Sequence, residues 1–121
     1  MLLGDFYNII SSHRKNGIIS FRIELNPEHA IFKGHFPGHP ILPGVCQLRI
    51  MEELMSQIFE KDVRIKNAAQ IKFLSFVNPI THKQLDINLN ILKEEATVLL
   101  VEGVYFWEDT AFLKFKGDFI C

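Results

Sequence analysis

Cysteine is scarce in this chain. The two present, Cys46 and Cys121, form no CxxC or other metal-ligand spacing, which excludes a zinc-ribbon pattern and the disulfide framework of a small secreted domain. An excess of charge is missing as well: the formal net charge is −1, against the basic surface of a nucleic-acid binder. No apolar run approaches the roughly 20 residues that cross a bilayer. Met1-Leu2-Leu3-Gly4-Asp5 has no basic segment followed by a sustained apolar one, so no secretory leader is expected. There is no Gly-x-Ser-x-Gly elbow on which a serine triad could start, and no internal repeat or linker. The expectation is a cytoplasmic protein with one domain over residues 1–121 and no membrane span.

What the chain does have is phenylalanine, eleven residues in all. These serve a packed core or an apolar tunnel, and composition does not separate the two. Ile19, Phe21, Ile23 and Leu25 alternate with Ser20, Arg22 and Glu24, the period of a half-buried strand. Asn16-Gly17 ahead of it is a tight-turn pair, so residues 5–12 suit the first arm of a hairpin or a short helix. Further on, Val63 to Ile65 read as strand, and Ile71 and Phe73 as a longer one ending near Pro79. Ile87, Leu89 and Ile91 alternate again, residues 97–107 are apolar on both faces, and Ala111, Leu113, Phe115 and Phe119 share one face of a last strand. Glu108-Asp109 is expected to turn between those two. Only Val45 to Glu60 has helical rhythm, apolar around most of its circumference and therefore expected to be buried. One buried helix and five or six mostly antiparallel strands predict an α+β domain whose sheet wraps the helix. Its unpaired edge invites a partner.

Chemistry concentrates in Gly34-His35-Phe36-Pro37-Gly38-His39-Pro40-Ile41-Leu42-Pro43-Gly44-Val45. Three prolines and three glycines forbid a regular ladder, so this is a stiff loop that runs into the helix. A helix start offers unpaired N–H groups and the positive end of the macrodipole, which can hold a carbonyl oxygen as it gains negative charge. Gly44 leaves room for close approach. His35 can take and return a proton near neutral pH. His35 and His39 have the spacing of a helical metal pair, but Pro37 and Gly38 between them forbid that helix, so no metal site is expected. Most loop histidines only meet solvent and most Gly/Pro clusters only turn the chain, so residue types alone do not decide the matter.

The whole stretch resembles the active-site loop of the FabA/FabZ-type β-hydroxyacyl-acyl-carrier-protein dehydratases: every fixed position of His-Phe-Pro-Gly-x-Pro-x-x-Pro-Gly-Val is present from His35 to Val45. Residues 68–79, with Ala-Ala-Gln-Ile-Lys-Phe-Leu followed by Val77 and Pro79, extend the likeness, which covers roughly residues 18–121. The run Val45-Cys46-Gln47-Leu48 and the Cys-terminated last strand are most similar to the ApeI-like branch associated with aryl-polyene biosynthesis. The resemblance implies a hotdog fold, a dimer with the active site at its interface, an acyl-carrier-protein thioester as substrate, and no cofactor. It implies that His35 abstracts the α-proton and that the Gly44 N–H holds the thioester oxygen. Phe36, Pro43 and Val45 would line the substrate.

One position departs from the family pattern. A carboxylate is expected fourteen residues after the histidine, from the partner subunit; here that position is Arg49. A guanidinium stays protonated and is a poor acid, though it can hydrogen-bond a leaving hydroxyl or bind an anion. Glu53, one helical turn on, could take the acid's place near the substrate or simply pair with Arg49. Glu52 points elsewhere around the helix, His39 is a lesser candidate, and a partner in a heterodimer could bring the acid. Cys46 could have a lowered thiol pKa at the helix start or be a small core residue. His13, His29 and His82 are expected only to face solvent. Scattered lysines such as Lys72 and Lys114 could meet an acidic carrier or merely solvate a face. Three functions compete: a dehydratase, a non-catalytic or heterodimer-partner hotdog subunit that binds acyl thioesters, and a hotdog acyl thioesterase, which the intact loop disfavours.

Overall fold

The computed structural model describes residues 1–121. The alternating segments become a single antiparallel sheet around one long helix. In chain order the elements are β1 (Tyr7–Lys15), β2 (Ile18–Leu25), a short helix α1 (Ala30–Gly34), the long helix α2 (Gly44–Phe59), β3 (Arg64–Phe73), β4 (Gln84–Glu95), β5 (Val98–Trp107) and β6 (Thr110–Ile120). In space the strands run β1-β2-β4-β5-β6-β3. This is the sheet-wrapped helix of a hotdog fold.

The hairpins form where turn chemistry allows. Asn16 and Gly17 both take positive φ (53° and 79°), the backbone that joins β1 to β2 in a two-residue turn. Glu108 at φ 52° does the same between β5 and β6. The first arm is therefore strand rather than helix, in register with Tyr7 opposite Leu25 and Lys15 opposite Ile18. Period-2 alternation then sends Ile19, Phe21, Ile23 and Leu25 of β2 and Leu85, Ile87 and Leu89 of β4 inward, each buried. Residues 98–107 lie inside the sheet as expected, yet their burial also alternates, with Leu99, Val101 and Tyr105 inward and Glu102 exposed. The concave face of the sheet meets Ile50, Met51, Leu54 and Met55 of α2 in one apolar core of 25 buried residues, which burial of apolar surface holds together.

Three expectations need correction. α2 is not buried all round: Val45 is 75% exposed, because the sheet covers the helix on one side only. β3 is one continuous strand ending at Phe73, not two pieces reaching Pro79; the backbone of Leu74 and Ser75 instead bonds the Phe112 carbonyl, which bends the chain off the sheet edge. His29 does more than meet solvent. Its Nδ1 accepts from the Ile31 N–H and caps α1, while Nε2 reaches Asp5 at 3.0 Å.

β3 is a sheet edge, exposed along most of its length. Ile71, Phe73, Leu74, Phe76 and Ile80 leave a band of apolar side chains on and beyond it. No helix is long and apolar enough to cross a membrane.

Candidate active site

The Gly/Pro loop is closed on itself by backbone bonds. Phe36 and His39 exchange N–H···O bonds of 2.9 Å in both directions, and the Ile41 N–H donates to the His35 carbonyl at 2.8 Å. The His35–Phe36 peptide is cis. The ring of His35 is held from two sides: Phe36 stacks on it at 4.1 Å, and Nδ1 lies 3.1 Å from the Ile41 carbonyl oxygen. That carbonyl can only accept, so the bond places the proton on Nδ1 and leaves Nε2 of the neutral ring with a free lone pair. The result is an oriented base.

Helix α2 begins beside it. Pro43 is the N-cap residue in extended conformation and makes no side-chain cap bond, so the first-turn N–H groups have no side-chain partner. The chain entering the helix is pinned by Leu42, whose N–H donates to the Val77 carbonyl at 2.9 Å. Between this loop and residues 73–76 opens a cavity of about 530 Å³, lined by His35, Ile41, Leu42, Gly44, Gln47, Phe73, Leu74, Ser75 and Phe76. It is mostly apolar, with a base and a helix start in its wall, which suits an acyl chain bearing a polarised carbonyl.

The structure brings together two of the residues expected from the sequence, His35 and Gly44, in one cavity wall. The room expected at Gly44 is taken by Phe73: a Cβ there would stand 2.7 Å from the ring's Cζ. The glycine is what lets that ring lie over the helix start. Phe36 and Val45 are 49% and 75% exposed, and neither they nor Pro43 belong to the cavity wall. His39 is exposed.

Arg49 faces a different groove, with Met1, Glu53 and Ser56. Its guanidinium bonds Glu52 and Glu53, each at 3.2 Å. Both carboxylates are committed. Glu52 also accepts the Ile65 N–H at 2.8 Å and so staples the helix to β3. Glu53, 1% exposed, takes the N–H groups of Leu2 and Leu3, the Tyr7 hydroxyl and Arg49. Three of these contacts are hydrogen bonds and the fourth is an ion pair, so both carboxylate oxygens are engaged. Glu53 therefore anchors the N-terminal segment and lies outside the wall of the His35 cavity; its pair with Arg49, the plainer of the two sequence readings, is formed. Burial, with the Glu53 charge next, holds the Tyr7 phenol well above its ordinary pKa. Burial also pushes the Cys46 thiol up, which makes it a core residue rather than an activated nucleophile.

Sequence reasoning missed Gln47 and the 73–76 wall. A glutamine three residues after Gly44, on a helix face otherwise apolar, was the available signal for the first. The wall had none, because it depends on where β3 leaves the sheet. No cluster of three or more His, Cys, Asp or Glu side chains has the geometry to hold a metal ion.

Comparisons with known proteins identify the family and the fold. Residues 11–103 match the family model of the ApeI-like proteins, described as ApeI dehydratase. A 3-hydroxyacyl-[acyl-carrier-protein] dehydratase FabZ from Aliarcobacter butzleri is 33% identical over 101 residues, 71% of this chain and 67% of that one. The FabZ of Campylobacter concisus is 32% identical over 90 residues, 65% of this chain and 61% of its own length. For the Haemophilus influenzae enzyme the matched share of the relative is 53%, so the chain spans a little over half the length of several relatives. Among solved structures, the dehydratase heterocomplex ApeI:P from Xenorhabdus doucetiae superposes with a TM-score of 0.73 at 20% identity, over 93% of this chain and 96% of that one. A hypothetical thioesterase with coenzyme A from Streptococcus pneumoniae gives 0.65 at 10% identity, over 98% and 90%. At these identities the structures speak to fold alone.

Proposed function

The chain belongs to the ApeI-like dehydratase family, and from that premise we propose that it dehydrates β-hydroxyacyl thioesters on an acyl carrier protein to trans-2-enoyl thioesters. The observation that carries this reading is the bond from His35 Nδ1 to the Ile41 carbonyl, which leaves Nε2 as a base beside the uncapped start of α2. With the thioester oxygen on the Gly44 N–H, the α-carbon becomes the acidic carbon. Nε2 takes its proton, negative charge moves onto the oxygen, and the helix start stabilises it. The β C–O bond then breaks and the hydroxyl leaves as water on receiving a proton. Phe73, half exposed over Gly44, must swing aside for the thioester to reach the N–H.

The leaving hydroxyl needs an acid, and a second reading addresses it: the site is completed by another hotdog subunit. What supports it is Arg49, held between two carboxylates and unable to serve as an acid, together with the apolar, unpaired β3 edge. A relative with this fold is described as a heterocomplex. In such a pair this chain lends His35 and Gly44 to one site, and its partner lends the acid. Arg49 would then meet the partner's site, where it can hydrogen-bond a leaving oxygen or an anion. Aryl-polyene-type or fatty-acid synthesis in the cytoplasm is the setting this substrate class fits.

The deciding experiment is turnover of a β-hydroxyacyl thioester by the purified chain, alone and with a co-purified hotdog partner. Wild type should form the enoyl product and His35→Ala should lose about 10²–10⁴-fold in rate. Absence of turnover in both preparations, or full activity of His35→Ala, overturns the reading.

A further inference from the structure

Gln47 is the one buried polar side chain that the fold leaves unfinished. It is 3% exposed, lies one turn into α2 and shares the cavity wall with His35 and Gly44. Its Nε2 donates to the Leu42 carbonyl at 3.3 Å. Because that carbonyl can only accept, the amide nitrogen must be the atom beside it and Oε1 the atom left over. Oε1 has no hydrogen-bond partner. It is the sole buried side-chain nitrogen or oxygen in the protein so placed, whereas Glu53, on the same helix, accepts three hydrogen bonds and an ion pair. A buried acceptor without a donor weakens a fold. The backbone around it is nonetheless held firmly: the Tyr105 hydroxyl donates to the Gln47 carbonyl at 2.6 Å from the opposite side of the core.

We infer that Gln47 Oε1 is the acceptor for the β-hydroxyl of the substrate and the residue by which this site selects hydroxylated over saturated acyl chains. The inference rests on the dehydratase reading for the identity of the donor. A β-hydroxyacyl group entering this cavity brings one hydroxyl, on the carbon two bonds from the carbonyl carbon whose oxygen Gly44 would hold. Gln47 is the next residue on the same helix face, at i+3 from Gly44. The remaining wall is Ile41, Leu42, Phe73, Leu74 and Phe76, with Ser75 the other neutral polar residue. A hydroxyl that donates to Oε1 keeps its own lone pairs free to accept the proton with which it leaves. A saturated chain leaves Oε1 buried and unpaired, a penalty that a site built for a hydroxyl imposes on the analogue lacking it. The residue touches the substrate and sets specificity; it exchanges no proton.

The test is equilibrium binding rather than turnover, so that it stands apart from the dehydratase reading. Dissociation constants are measured for a β-hydroxyacyl N-acetylcysteamine thioester and its saturated counterpart, with His35→Ala as the host to prevent reaction. The host should bind the hydroxylated ligand about tenfold or more tightly than the saturated one. Adding Gln47→Met, which removes the acceptor at similar volume, should abolish that preference by weakening only the hydroxylated ligand. Gln47→Leu serves as the second replacement, and melting curves identify either variant if it unfolds. Equal affinity of the host for the two ligands overturns the inference without recourse to any Gln47 variant. Equal weakening of both ligands by Gln47→Met in a folded protein also overturns it, and makes the side chain structural. Selective binding in a protein that never turns over would retain the inference and defeat the dehydratase reading.

Discussion

Helix α2 carries two polar clusters within three turns, and they are opposites. At its start, His35, Gly44 and Gln47 line an apolar cavity, and His35 Nε2, the Gly44 N–H and Gln47 Oε1 keep bonding capacity unspent. Further along, Arg49, Glu52, Glu53 and Tyr7 form a network in which the Glu53 carboxylate is filled by donors from its own helix and from the N-terminal segment. A filled network orders the chain, since removing any member strands a buried group. An unfilled one weakens the fold slightly and waits for a ligand. The difference separates stability from function on one helix, and it predicts that substitutions at the two ends fail in different assays.

The largest expected effect is at the unfilled end. His35→Ala should lose the bulk of turnover while the urea midpoint moves little, because the ring is only half-buried and holds a loop; unfolding curves beside rate measurements check it. If the midpoint collapsed with the rate, His35 would be a structural residue and the contrast would break. At the filled end, Glu53→Ala should cost about 3 kcal/mol of unfolding free energy, read from urea denaturation. It should also raise amide exchange at Leu2 and Leu3, which lose their acceptors. A smaller effect is expected for Gly44→Ala. Its new Cβ meets the end of a flexible, exposed ring, and alanine is the better helix former. Stability should therefore stay within about 1 kcal/mol, with a disproportionate rise in KM as Phe73 and the methyl compete for the helix start.

The smallest effect is in the pH dependence. The Tyr7 phenol is held above its ordinary pKa by burial and by Glu53, so the folded protein keeps its proton where the unfolded chain loses it. The stability this supplies is complete below the unfolded value of about 10 and declines as pH rises beyond it, because the folded state then binds more protons than the unfolded. Tyr105, fully buried, acts in the same direction. Tyr7→Phe should flatten the alkaline slope of the melting temperature above pH ~10 and leave the slope at neutral pH unchanged. An unaltered alkaline slope would assign the decline to Tyr105 and the Cys46 thiol instead.

Much of the molecule was legible before its structure. Asn16-Gly17 announced the hairpin, the alternation of Ile19 to Leu25 announced β2, and the prolines around His35 announced a stiff loop feeding a helix. These are short-range effects: two-residue turns, a period of two, a missing N–H. The exposure of Val45 was not legible, because helical periodicity records that a face is apolar and not whether sheet or solvent covers it. The end of β3 at Phe73 was hidden for a related reason, as apolar residues continue past it and the bend follows from bonds to Phe112. Of the candidate site residues, His35 and Gly44 share the cavity, whereas Glu53 and Arg49 pair with each other away from it. Their spacing permits an ion pair, but only the incoming backbone of Leu2 and Leu3 completes the filling of Glu53.

Local sequence determined by itself where this chain turns, alternates and starts its long helix, and it placed a histidine next to that helix start through the loop that joins them. Tertiary structure alone decided which polar groups are spent. Glu53 meets donors 50 and 51 residues away, and Gln47 meets Tyr105 across 58. Gln47 Oε1 meets no partner at all. The physical reason is that burial and hydrogen-bond saturation belong to packed surroundings, which no window of neighbouring residues contains.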